Sequence, residues 1–290
     1  MRALVTGGAG YVGNLLAEAL LSDGWHVTVL DNFMFGYEPI LHLASDPHLE
    51  LVRGDIRDAA ALLDAVSGQD VVYHLAALSG YSQCEADPGT AWAVNVDGTR
   101  NVLAALEPEQ LLVFASSTSI YGPPTLYART KAAAEDAVMQ RAYSIAVRWA
   151  TLFGVSPRMR HELLPNAFTR QAVTRGHLQL FSPDQRRTFM HVAHAASDYA
   201  YIPEIADTLV GKVWNVGDAG LTCTKRELVE HIIEQVPGTT YEVMDAPDAD
   251  GRDIDVDFSA THELGLSTRT HWAFHLPELV RLYSACEVAA

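Results

Sequence analysis

Val5-Thr6-Gly7-Gly8-Ala9-Gly10-Tyr11-Val12-Gly13 is the stretch on which the reading of this chain turns. The apolar run Ala3-Leu4-Val5 leads into it, and Leu15, Leu16, Ala19 and Leu20 follow at helical spacing, so Gly7, Gly10 and Gly13 fall at a strand-to-helix turn. Glycine there permits a tight turn and a close approach of backbone to ligand. The N–H groups at the helix start then offer partial positive charge to a pyrophosphate. A glycine triplet can also serve the turn alone, and the remainder of the chain decides between the two.

Working outward, His26-Val27-Thr28-Val29-Leu30 reads as a second strand ending on Asp31-Asn32. An acidic residue at that place accepts ribose hydroxyls and repels a 2′-phosphate, which favours NAD over NADP. Leu49–Val52 and Val71–Leu75 read as further strands, the first ending near Asp55-Ile56 and the second on the small residues Ala76-Ala77. A helix is expected from about Thr90 to Ala105, then a strand over Leu111–Ala115. This alternation implies a doubly wound parallel sheet, Rossmann-like, with right-handed crossovers. Past residue 150, prolines punctuate shorter elements, although Val213–Gly217 reads as a strand returning to the sheet. The expected organisation is a dinucleotide-binding domain over 1–155 with returning segments near 190–217, and a smaller mixed α/β lobe over 156–290 that mainly binds substrate.

With 290 residues, 49% of them hydrophobic, the chain can bury a full core. Its net charge of −16 argues against a nucleic-acid partner. Arginine is concentrated, seven of the 17 falling between 148 and 187, whereas lysine occurs only at 131, 212 and 225. Cys84, Cys223 and Cys286 lack metal-ligand spacing and suit reduced thiols. No leader-like or membrane-length apolar run is evident, so the expectation is a cytoplasmic protein with no membrane partner and no metal. His271 and His275 have i, i+4 spacing but no nearby third ligand, which favours a packed helix over a metal site.

The chemistry-bearing residues follow the fifth strand. Ser116-Ser117-Thr118-Ser119-Ile120-Tyr121-Gly122 precedes Tyr127-Ala128-Arg129-Thr130-Lys131, in which Tyr127 and Lys131 share a helical face. An ammonium beside a phenol stabilises the phenolate, making Tyr127 a general base, and Ser117 would hold the same substrate oxygen.

At this point the chain resembles the extended short-chain dehydrogenase/reductases of the nucleotide-sugar epimerase/dehydratase type. The motifs T-G-G-A-G-Y-V-G, Leu75-Ala76-Ala77, N-V-x-G-T from Asn95 to Thr99, S-S-x-x-I-Y-G, Y-x-x-x-K, R-x-F-x-H-V from Arg187 to Val192, and Asn215-Val216-Gly217 occur in the family's order. The resemblance implies NAD held by Gly7, Gly10, Tyr11, Val12, Gly13, Asp31, Asn32, Asp55, Ile56, Leu75, Ala76, Ala77 and Asn95, together with Tyr127 and Lys131. It implies a catalytic Ser117, Tyr127 and Lys131, and a nucleotide-diphospho-sugar substrate met by Ser117, Thr118, Asn166, Arg187 and Arg252. It also implies a homodimer through the helices bearing Trp92 and Tyr127.

Within that family, 4,6-dehydratases carry Asp-Glu where this chain has Thr118-Ser119. Decarboxylases tend to carry a glutamate, and 3,5-epimerases a cysteine, at the Ser119 position. A 4-epimerase needs only oxidation, rotation of the keto-sugar and return of the hydride, so NAD-dependent epimerisation at C4 is the reaction the resemblance implies. The alternatives are an NDP-4-keto-sugar reductase, another NDP-sugar dehydrogenase or dehydratase, and a non-catalytic NAD(H)-binding module. The chain departs from the family's pattern in the short Pro123–Leu126 connection, in Thr188 and His194 where acids are usual, and in Thr151 where asparagine is common.

Overall fold

The computed structural model describes residues 1–246, 253–266 and 270–287. Its strands are β1 (Arg2–Thr6), β2 (His26–Asp31), β3 (Leu49–Arg53), β4 (Val71–His74), β5 (Leu111–Ser117), β6 (Ser144–Trp149), β7 (Thr151–Phe153), β8 (His177–Phe181), β9 (Arg186–His191), β10 (Lys212–Val216), β11 (Asp218–Thr224) and β12 (Thr240–Met244). Its helices are α1 (Gly13–Ser22), α2 (Ala59–Val66), α3 (Tyr81–Ala86), α4 (Pro88–Trp92), α5 (Thr99–Ala105), α6 (Leu126–Val138), α7 (Leu164–Arg175), α8 (Val192–Tyr201), α9 (Ala206–Leu209), α10 (Lys225–Gln235), α11 (Ser259–Glu263) and α12 (Trp272–Glu287).

Seven strands form a parallel sheet in the order β10-β6-β5-β4-β1-β2-β3. The central strands are apolar on both faces because helices cover both: Leu4, Val5, Val72 and Val113 are all fully buried. The chain order reverses between β1 and β4, and a sheet of this kind opens a crevice at the carboxyl ends of the strands there. The expected Rossmann-like architecture is therefore present, and β10 returns to the sheet beside β6 as Val213–Gly217 suggested.

The helix expected from Thr90 to Ala105 is divided. A π-helical turn over Ala93–Gly98 separates α4 from α5. Its physical cause is local: the Asn95 amide is drawn to the backbone of Leu78 and to Thr130 Oγ1, while a Cβ at Gly98 would lie 2.6 Å from Ile56.

Beyond β7 a second apolar core forms from Phe153, Phe168, Phe189, Leu228, Trp272 and Leu276. It packs under a three-stranded sheet, β11-β9-β7, and beside the two-stranded β12-β8. Among the described residues no helix is long and apolar enough to cross a membrane.

Candidate active site

A cleft of about 400 Å³ opens at the β1/β4 switch point. The glycine turn forms its floor, and the three glycines are sterically required. Gly7 has φ +71, and a Cβ on it would stand 2.8 Å from Ala76 Cα; a Cβ on Gly10 or Gly13 would lie 2.9 or 2.3 Å from the Gly7 carbonyl oxygen. This packing brings the start of α1 onto the strand ends. Val12 caps that helix without a side-chain hydrogen bond, so the first N–H groups of α1 face the cleft uncapped by a side chain. Leu75 and Ala76 complete the floor by donating to Thr6 O at 3.2 Å and Thr6 Oγ1 at 3.3 Å. Ala77 lines the cleft beside them.

Asp31 sits where β2 ends. Its two carboxylate oxygens accept from Ala9 N (3.0 Å) and Phe33 N (2.8 Å), and burial pushes its ionisation upward. A carboxylate has about four acceptor sites, so capacity for two hydroxyls remains. Asn32 lines the rim, its Oδ1 accepting from Met34 N at 3.0 Å. Asp55 is gripped by Arg57 through Nε (2.9 Å) and Nη2 (2.7 Å), which holds the carboxyl down at about 2. Ile56 lines the cleft, whereas Asn95 stands behind it and fixes the loop at Leu78.

At the other end of the cleft, Ser117 terminates β5. Its hydroxyl accepts from Ser119 N (3.1 Å) and donates to Ser119 Oγ (3.0 Å). Thr118 donates to the Trp149 carbonyl at 3.0 Å, so that hydroxyl is committed to the wall. Thr125 caps α6 by accepting from Ala128 N, which sets Tyr127 in the first turn facing the cleft, with Lys131 one turn further in. Lys131 is buried, its Nζ 4.4 Å from the centroid of the Phe114 ring, and no hydrogen-bond acceptor meets it among the described residues. Burial pushes its ammonium down to about 8, against the pull of Glu135. Glu135 itself is occupied, accepting from Ser116 Oγ at 2.5 Å and from Arg148 Nε at 2.9 Å.

The uncapped turn, the spare acceptors of Asp31 and the cleft-lining Lys131 ammonium together suit a dinucleotide with a pyrophosphate and ribose hydroxyls.

Two residues that the resemblance assigns to substrate, Asn166 and Arg187, do not line this cleft. Asn166 is fully buried: its Oδ1 accepts from Gly154 N and its Nδ2 donates to Arg160 O (2.9 Å) and Tyr11 Oη (3.3 Å). Through these bonds it secures Tyr11, whose hydroxyl donates to Gly154 O at 2.7 Å and is pushed strongly upward by burial. Arg187 is buried in β9 and lines a small recess with Thr118 and Thr151, directly behind the cleft wall. Arg252 lies outside the described residues.

Arg158 and Arg160, by contrast, line the cleft. Arg160 donates to Ser79 Oγ at 2.8 Å and Glu162 at 2.8 Å. The arginine-rich stretch was the signal for them, but it did not say which of seven would reach the site. Cys84 is a buried thiol donating to Leu78 O, pushed up to about 11 by burial, and packs as a small core residue.

Comparisons with known proteins agree with this geometry. The family model described as the NAD dependent epimerase/dehydratase family matches residues 3–217. The dTDP-glucose 4,6-dehydratase of Streptomyces niveus is 28% identical, with 98% of this chain and 93% of that protein covered. UDP-glucuronate 4-epimerase 1 of Arabidopsis thaliana is 31% identical over 74% of this chain and 55% of its own length, so the chain spans about half of that relative. Among solved structures, the Thermus thermophilus UDP-glucose 4-epimerase in complex with NAD superposes with a TM-score of 0.82 at 25% identity, covering 98% of this chain and 99% of that one.

Proposed function

We propose, on the premise that this chain belongs to the NAD dependent epimerase/dehydratase family, that it inverts C4 of a nucleotide-diphospho-sugar through a transient 4-keto sugar. Relatives with different reactions match it, so the site must discriminate. The observation that carries the reading is the distribution of carboxylates. Among the described residues, the carboxylates lining the cleft are Asp31 and Asp55, both at the dinucleotide end; Glu85, which accepts from Leu126 N at 3.2 Å, is held by the backbone and does not line it. Elimination of water across C5 and C6 needs an acid and a base beyond the tyrosine, and Thr118 and Ser119 offer only hydroxyls there, that of Thr118 bonded to the Trp149 carbonyl.

NAD, the family's cofactor, would be held by the glycine turn and Asp31 and would supply reversible hydride transfer at C4. Tyr127 takes the proton of the C4 hydroxyl and later gives it back. Ser117 positions that oxygen, and the Lys131 ammonium stabilises the phenolate form.

UDP-glucuronate and UDP-glucose are the first substrates to try, since relatives carry those names. The pure protein is to be incubated with UDP-, GDP- and dTDP-sugars. Inversion at C4 is expected with one of them; a 4-keto-6-deoxy product, or no inversion with any, overturns the assignment. Asp31 also separates this reading from a reductase, because an NADP phosphate would meet its carboxylate. Assembly as a homodimer through α4, α5 and α6 belongs to the same proposal, with Trp92 (37% exposed) at that face, and a monomeric mass in solution scattering would refute it.

A further inference from the structure

At the dinucleotide end of the cleft, the Arg158 guanidinium lies over the Phe35 ring, 4.0 Å from its centroid. The two residues come from opposite walls. Phe35 belongs to the segment leaving β2, whose root is the Asp31 carboxylate: Phe33 donates to it from a left-handed backbone conformation with φ 55. Arg158 belongs to the loop leaving β7, whose root is the glycine turn. There Tyr11 Oη donates to Gly154 O, and Ser156 Oγ donates to Tyr11 O at 2.8 Å and accepts from Asn14 Nδ2 at 3.1 Å. Rooted on the turn and touching Phe35 at its tip, the loop passes across the place where a pyrophosphate would rest on α1.

The contact is not a by-product of core packing. Phe35 is 48% exposed and belongs to none of the apolar clusters, so its ring gains little from where it stands except the guanidinium. Arg158 is partly desolvated, and Arg160 repels it; burial and that neighbour both weaken its hold on the charge. A diphosphate beneath the loop would relieve the repulsion and favour the closed arrangement.

We propose that Phe35 and Arg158 form a clasp across the cofactor cleft that sets how long NAD stays bound. The proposal rests on the reading of this cleft as the NAD site, and not on the reaction at the sugar. It supplies a property that C4 inversion requires, since a hydride taken from one sugar must return to that sugar before the cofactor leaves.

The test is the dissociation rate of NAD from the full chain, measured without sugar by dilution into an NAD-consuming coupling enzyme. Phe35→Ala and Arg158→Ala should each speed release about tenfold, the scale of a partly desolvated cation–ring contact. The double variant should be no faster than either single one, because each substitution alone opens the clasp. Phe35→Leu should release as fast as Phe35→Ala, because it keeps an apolar side chain but loses the ring face. An unchanged rate in Arg158→Ala, effects that multiply in the double variant, or a wild-type rate in Phe35→Leu overturns the clasp. Failure of the 4-epimerase reading would appear in the sugar assays, which these rates do not use.

Discussion

Two buried polar clusters lie on either side of the β7 loop, and they are built on opposite rules. On the cleft side, Lys131 is buried over Phe114 with no hydrogen-bond acceptor among the described residues. On the other side, beneath α12, the His191–Glu278 pair is matched. His191 Nδ1 accepts from Ala193 N at 3.3 Å while its Nε2 lies 2.6 Å from Glu278 Oε1. The same Glu278 oxygen accepts from Val155 N at 3.0 Å. His275 stacks on His191 with centroids 4.6 Å apart and bonds Thr270 Oγ1, which donates to Asp218. A satisfied buried network holds a fold in one arrangement, whereas a desolvated charge lining an open cleft costs stability and is retained for what it does.

The largest expected effect breaks the cleft side. Tyr127→Phe should lower kcat by about a thousandfold while leaving NAD affinity within about twofold, read by steady-state kinetics and equilibrium titration. Next, Lys131→Met should lower turnover by about a hundredfold or more and yet stabilise the protein without cofactor by about 1–3 kcal/mol at pH 7 in urea unfolding. The sign follows from its position: the folded group titrates near 8, below its ordinary 10.5. The penalty is therefore complete below pH 8 and is relieved between 8 and 10.5, and the advantage of the methionine variant should fade over that window.

On the matched side, Glu278→Ala should cost about 2 kcal/mol, because it strands His191 and the Val155 amide, and Glu278→Gln should recover most of it. Acid sensitivity is of similar size. Burial and the neighbouring His191 and His194 hold His275 down at about 4, against an ordinary 6.5. The unfolded chain then binds the proton first, so stability falls as pH drops from 6.5 toward 4, by about 1–3 kcal/mol from this residue. His275→Gln should flatten that slope in urea unfolding across pH. A residual slope should persist from His74, which burial between Thr6 and Thr99 holds at about 3.

The cleft was largely legible in the sequence because its parts are local. The glycine turn, Asp31, Ser117 and the Tyr127–Lys131 pair each sit at a strand end or a helix start, where spacing alone fixes what faces what. The matched cluster was not legible. His191, His275 and Glu278 meet through tertiary packing across more than one element, and the i, i+4 spacing of His271 and His275 indicated a packed helix without naming its partners. Asn166 and Arg187 show the same limit from the other direction. Their places in the chain follow the family's order, but their side chains are taken up by Gly154 and Arg160 in one case and by a recess behind Thr118 in the other. Arg158 carried no motif at all, since its partner Phe35 is distant in sequence.

The hydrogen bond between Glu278 and Val155 also bears on the order of events during synthesis. The glycine turn leaves the ribosome some 265 residues before Glu278, yet the loop that crosses it is fastened by that residue in α12. At about 5–20 residues per second the nascent chain carries an unfastened cleft for roughly ten to fifty seconds. During that interval the α/β units around β1 can pair and bury their strands, but the enclosure around the cleft is completed only when α12 docks.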